Sequence, residues 1–143
     1  MAKDRNPLDM ARMLADIAEF EKSKTVAAAM LNLSAEEERL ATLERYLEEY
    51  RNSSGPGTGG ISVGLLRSRH EFIETLAQAV EDQSYRVESL RDRIAQDVSD
   101  WRDAKAKVGA LDKFLERRLE KEKERRNRRE QARLDETSTL RHL

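Results

Sequence analysis

Few residues of this chain are placed to do covalent chemistry. There is no cysteine, and the two histidines, His70 and His142, lie far apart, so neither a thiolate nucleophile nor a Cys/His metal set can be assembled. Carboxylates are abundant, but general acid–base work needs them to converge, and here they recur among basic residues as on solvated helix faces. The stretch Gly55-Pro56-Gly57-Thr58-Gly59-Gly60 lacks the Gly-Lys-Ser/Thr ending of a phosphate cradle and follows a helical pattern, which makes it a turn. Arg125-Arg126 and Arg128-Arg129 form a basic run, yet Glu116, Glu120, Glu122, Glu124 and Glu130 interrupt it and no aromatics lie between for base stacking. No catalytic residue, metal site or cofactor is expected. Recognition is the chemistry left open, by the arginine run for an acidic surface and by two rows, apolar except for Arg39 and Gln83, stepping in threes and fours. These rows are Arg39, Leu43, Tyr46, Tyr50 and Phe72, Leu76, Ala79, Gln83.

The elements that carry these rows follow from composition. With 38% hydrophobic, 38% charged and 5% aromatic residues the chain is poorly supplied for a globular core. Two prolines and six glycines, mostly gathered in one stretch, leave the remainder rich in strong helix formers. The pattern predicts one domain over residues 1–143: helix 1 at about 8–52 opened by Pro7, a glycine-rich turn at 53–61, helix 2 at about 65–133, and a flexible tail at 134–143.

Helix 2 carries the clearest signal. Leu66, Ile73, Val80, Val87, Ile94, Trp101, Val108 and Leu115 recur every seven residues, with Leu76, Leu90, Ala104 and Leu111 between them, as in a coiled-coil seam. Arg69, Gln83, Asp97 and Arg118 are polar interruptions of it. In helix 1 the apolar residues Met10, Met13, Ile17, Phe20, Ala27 and Leu31 mark one face, after which Leu33, Leu40 and Leu47 restart the stripe in a shifted register. The expected fold is therefore all-α, a long antiparallel two-helix coiled-coil hairpin. Its core is expected to hold Ile17, Leu40 and Leu47 against Ile73, Val80, Val87, Ile94, Trp101 and Val108, with Ile17 near Trp101 and Leu47 near Ile73. Helix 2 should outrun helix 1 by roughly 35 Å, leaving Leu111, Phe114, Leu115 and Leu119 uncovered. The longest apolar run, Val26 to Leu31, is far below the roughly 18 residues that span a bilayer, so a cytoplasmic protein is expected.

The segments Tyr46-Leu47-Glu48-Glu49-Tyr50-Arg51, Phe72-Ile73-Glu74-Thr75-Leu76, Trp101-Arg102 with Lys105 and Leu111, and Gln131 with Leu134-Asp135-Glu136 resemble, in order and spacing, the flagellar FliJ family. That is the small coiled-coil component of the flagellar type III export apparatus. The resemblance implies a stalk similar to the coiled coil of the rotary ATPase γ subunit. Such a stalk would bind the flagellar export ATPase hexamer, promote its assembly and activity without hydrolysing ATP, contact the cytoplasmic domain of the export gate, and cycle export chaperones. The gate-contact surface would correspond to Leu43, Tyr46, Tyr50, Phe72, Leu76, Ala79 and Gln83. The ATPase end would correspond to Phe114, Leu115, Leu119, Arg125 and Arg126. The implied location is the cytoplasmic face of the inner membrane at the flagellar basal body, reached only through protein partners. An injectisome stalk shares the fold, and a generic tether or nucleic-acid adaptor using the arginine tail is the alternative of another class.

Overall fold

The computed structural model describes residues 6–53 and 62–141. The chain is all-α, with two long helices, α1 (Pro7–Asn52) and α2 (Val63–Arg141), packed against each other as a helical hairpin. The glycine-rich turn expected at 53–61 lies, apart from Ser53, outside the described residues, as does His142.

Local chemistry sets the helix ends. Pro7 occupies the first helical position, where its missing N–H costs nothing, and the Asn6 side-chain oxygen accepts from Leu8 N at 3.2 Å as an N-cap. Ser62 does the same for α2, its hydroxyl oxygen lying 3.2 Å from Leu65 N. This cap starts α2 at Val63, two residues before the position expected from periodicity alone. At its other end α2 does not stop near residue 133 but continues to Arg141, through the stretch expected to be a flexible tail. No glycine or proline falls between 116 and 141 to end it, and the hydroxyls of Thr137 and Thr139 turn back onto the carbonyls four residues earlier.

Contacts between the helices group into two compact units, Lys22–Asp100 and the pair Met1–Glu21 with Trp101–Leu143. In the unit Lys22–Asp100, Leu47, Val87 and Ile94 are buried, Val87 most completely at 2% exposure. Around them Val26, Ala29, Leu33, Glu36, Leu40 and Leu43 of α1 and Ile73, Leu76, Val80 and Leu90 of α2 are half-buried. Each covered row advances by threes and fours, the signature of a coiled-coil seam. Leu66, the first step of the expected row, is exposed. The shifted restart expected in α1 is absent, because Val26, Ala29 and Leu33 follow one row while Ala27 and Leu31 face outward.

The second unit is built differently. Only Ala15 is buried in it among the described residues, with Leu8, Ala11, Arg12 and Glu19 half-buried on α1 and Trp101, Ala104, Val108, Leu111, Asp112 and Leu115 on α2. Arg12 bridges the helices with a fork onto Asp112, Nε donating to Oδ1 at 2.6 Å and Nη2 to Oδ2 at 3.3 Å, and it also pairs with Asp16 one turn along α1. Trp101 Nε1 donates to Glu19 Oε1 at 2.9 Å, and Lys105 Nζ lies 5.1 Å from the centre of the same indole.

The expected core membership of Ile17 is corrected here: it is 51% exposed, and Met10, Met13 and Phe20 of the same row are exposed with it. Residues 11, 15 and 19 lie on the opposite side of the helix from residues 10, 13, 14 and 17, and it is the alanine-rich side that meets α2. Trp101 accordingly meets Glu19. Beyond Leu115 every described residue of α2 is exposed, a stretch of roughly 39 Å at the helical rise.

Candidate interaction surfaces

Tyr50 stands on the last turn of α1 and Phe72 near the start of α2, and the hairpin brings them into contact. Their ring centroids are 4.8 Å apart with planes tilted by 54°, a geometry in which one ring's edge approaches the other's face. Yet 43% of Tyr50 and 47% of Phe72 remain exposed, so the pair is not core. One turn earlier on α1, Tyr46 is exposed too, with the Arg45 guanidinium 5.8 Å from its ring centre. Leu43, Leu76 and Ala79 are half-buried. Leu43 and Leu76 belong to the covered rows of the seam, and Ala79 lies beside Val80 at their edge.

Gln83, expected at the edge of the same surface, is instead 8% exposed and turned toward α1. Its Nε2 donates to Glu36 O at 3.0 Å and to Glu36 Oε2 at 2.5 Å. The reason is positional: residue 83 falls in the heptad row, three after Val80 and four before Val87, and a side chain in that row is turned toward α1.

Four residues not anticipated at this surface, Ser53, Leu65, Ser68 and Arg69, complete it. Leu65, Arg69 and Ser53, with Ser68, Tyr50 and Phe72, line an open groove of about 440 Å³. Arg69 Nη2 donates to Tyr50 O at 2.9 Å and to Ser53 Oγ at 2.9 Å, while the Ser53 hydroxyl reaches Tyr50 O at 3.3 Å. The last carbonyls of a helix lack intrahelical partners, and a guanidinium satisfies them while complementing the negative end of the helix dipole. A cation in the seam, beside a turn, carried that signal in the sequence; the heptad alone marks Arg69 only as an interruption.

In the other unit, Phe114 and Leu119 are exposed, as are Arg125 and Arg126, while Leu115 is half-buried as a last step of the seam and not a free surface residue. Phe114 shares a shallow depression with Arg117, Arg118 and Lys121, so an apolar ring is set among cations. On α1 of this unit Met10, Met13, Leu14 and Ile17 form an exposed apolar face that sequence periodicity assigned to the core. The Arg12 fork holds the Asp112 carboxyl below its usual range, and Asp112 with Asp16 raises Arg12 further above its own.

Two long helices packed against each other, with no strand among the described residues, define a class, the helical-hairpin proteins. The chain belongs to the family described as Flagellar FliJ protein, whose model matches residues 5–143. Among curated proteins, none matches. Membership makes the chain a component of the flagellar export apparatus, in a non-catalytic family. Among the described residues, no helix is long and apolar enough to cross a membrane.

Proposed function

We propose that the chain is a stalk of the flagellar export apparatus with two docking regions. The Tyr46, Tyr50 and Phe72 surface meets the cytoplasmic domain of the export gate. The unit that contains Trp101–Leu143 engages the hexameric export ATPase and promotes its assembly and activity, and export chaperones are received and released by the same protein. The whole acts at the cytoplasmic face of the inner membrane, tethered only through these partners. The observation that carries the reading is the Tyr50 and Phe72 pair. Two aromatic residues from distant parts of the chain are held together yet left half exposed, and aromatics contribute most to binding where a partner can desolvate them. At the other region, support comes from the exposed Phe114 and Leu119 among basic residues, and from the Met10, Met13, Leu14 and Ile17 face. An isolated helix with apolar residues on one side gains packing only from another protein.

Two measurements test the two regions. Phe72→Ala combined with Leu76→Ala should weaken binding to the isolated gate domain at least tenfold, about 1.4 kcal/mol or more, with helicity retained by circular dichroism. Collapse of the helical signal would assign these side chains to the core. Truncation after Leu115 keeps the Arg12–Asp112 fork and should abolish stimulation of ATP hydrolysis; undiminished stimulation removes the extension from the ATPase reading.

A further inference from the structure

The apolar seam of the unit Lys22–Asp100 has a weakness as a specifier of register. Leu33, Leu40 and Leu47 repeat every seven residues on α1, as do Ile73, Val80, Val87 and Ile94 on α2. Sliding α1 along α2 by one heptad, roughly 10.5 Å, brings like against like again, so hydrophobic burial discriminates poorly between the two pairings. Something else must hold the observed one.

Of the three polar residues that interrupt the seam in this unit, Arg69, Gln83 and Asp97, the first two are hydrogen-bonded to α1. Arg69 donates to Tyr50 O and to Ser53 Oγ, each at 2.9 Å. Gln83 donates to Glu36 O at 3.0 Å and to the Glu36 carboxylate. A backbone carbonyl like Glu36 O recurs at every position, but the Glu36 carboxylate and the helix-end acceptors at Tyr50 O and Ser53 Oγ are not repeated one heptad away. Seven residues from Glu36 the chain carries Ala29 and Leu43, neither of which offers a side-chain acceptor. Seven residues before Tyr50 lies Leu43, in the helix interior where the carbonyl already has its intrahelical partner. A slipped register therefore deprives the buried Gln83 amide of its carboxylate acceptor and takes from the half-buried Arg69 the helix-end carbonyl that its charge complements.

We propose that Arg69 and Gln83 are positioning residues for the aromatic docking surface, setting the one register of α1 on α2 in which Tyr50 meets Phe72. The link to docking rests on the gate-binding reading above; the register role does not. Gln83 is too deeply buried to touch a partner and acts only through the alignment of the rings, whereas Arg69 both lines the groove and holds the end of α1 in place. A slip by one heptad would set Leu43 or no part of α1 opposite Phe72, and the surface would cease to exist although the helices remained paired.

The test uses the full chain with Arg69→Met and Gln83→Met, singly and together, since methionine keeps length and removes the donors. Proton NMR of the aromatic side chains reads the Tyr50 to Phe72 ring contact directly as a nuclear Overhauser effect. In the double variant that effect should disappear, with doubled seam resonances from coexisting registers, while helicity is kept and the thermal midpoint stays level or rises. Each single variant should show a partial loss, and Arg69→Lys, which keeps a cationic donor at the α1 carbonyl, should restore the contact. A single resonance set with the ring contact intact in the double variant overturns the proposal. So does loss of helicity in the single variants, which would make both residues stability elements. Affinity for the gate domain should fall at least tenfold in the double variant. Normal gate binding by Phe72→Ala would remove the gate reading, whereas the ring contact, which needs no partner, reports on register alone.

Discussion

In the unit Lys22–Asp100, α1 and α2 meet through Leu47, Val87 and Ile94, large side chains removed from water. In the unit of Met1–Glu21 with Trp101–Leu143 they meet through Ala15, an Arg12–Asp112 fork and the Trp101–Glu19 hydrogen bond. Side chains as large as Val87 or Ile94 contribute about 1.5–3 kcal/mol each when fully buried, whereas alanine brings little area and half-exposed polar contacts are worth far less. The second contact is thus the weaker and the more polar one. The apolar residues Met10, Met13, Leu14 and Ile17 of its α1 segment are left on the outside. The difference teaches that the contact between the helices is made by large apolar side chains in one unit and by small and polar ones in the other.

The contrast can be broken by substitution. Val87→Asp places an unpaired charge where 2% of the side chain is exposed and should cost about 3–5 kcal/mol, read as a large fall in the urea midpoint; an unchanged curve would refute the seam. The Arg12–Asp112 fork should give a smaller, pH-dependent effect. Because the folded state lowers the Asp112 pKa, its contribution is present above the unfolded carboxylate value, about 3.9, and is lost as pH falls below that through the folded value. Acidification from neutral pH should therefore lower the thermal midpoint, and Asp112→Asn should flatten part of that dependence; identical profiles would show that the fork contributes nothing measurable. The smallest effect is expected from Ile17→Gln, within about 0.5 kcal/mol, since the residue is exposed. A loss comparable to a core truncation would return Ile17 to the interior and erase the contrast.

Heptad spacing and the absence of breakers were enough to read α2 as one long helix with Ile73, Val80, Val87, Ile94, Trp101 and Val108 on a single row, and all six are buried or half-buried. The Tyr50 and Phe72 meeting was also readable, from a hairpin closing at a glycine-rich turn. The facing of the first turns of α1 was not. A periodicity argument selects the most apolar face, and in residues 8–19 that face is Met10, Met13 and Ile17. On one unbroken helix, however, the covered row that includes Leu33, Leu40 and Leu47 carries back to Ala15 and Ala11, and a helix cannot change sides within a turn.

Nor could the polar interruptions be told apart. Gln83 and Tyr46 both stand on rows of threes and fours, and spacing does not say that one is sealed against Glu36 while the other meets water. Composition and period are properties of one helix and so follow from the order of residues. Which face is covered, which carbonyl an arginine reaches and which register is kept depend on a second helix, and those are settled by packing and by the satisfaction of buried donors.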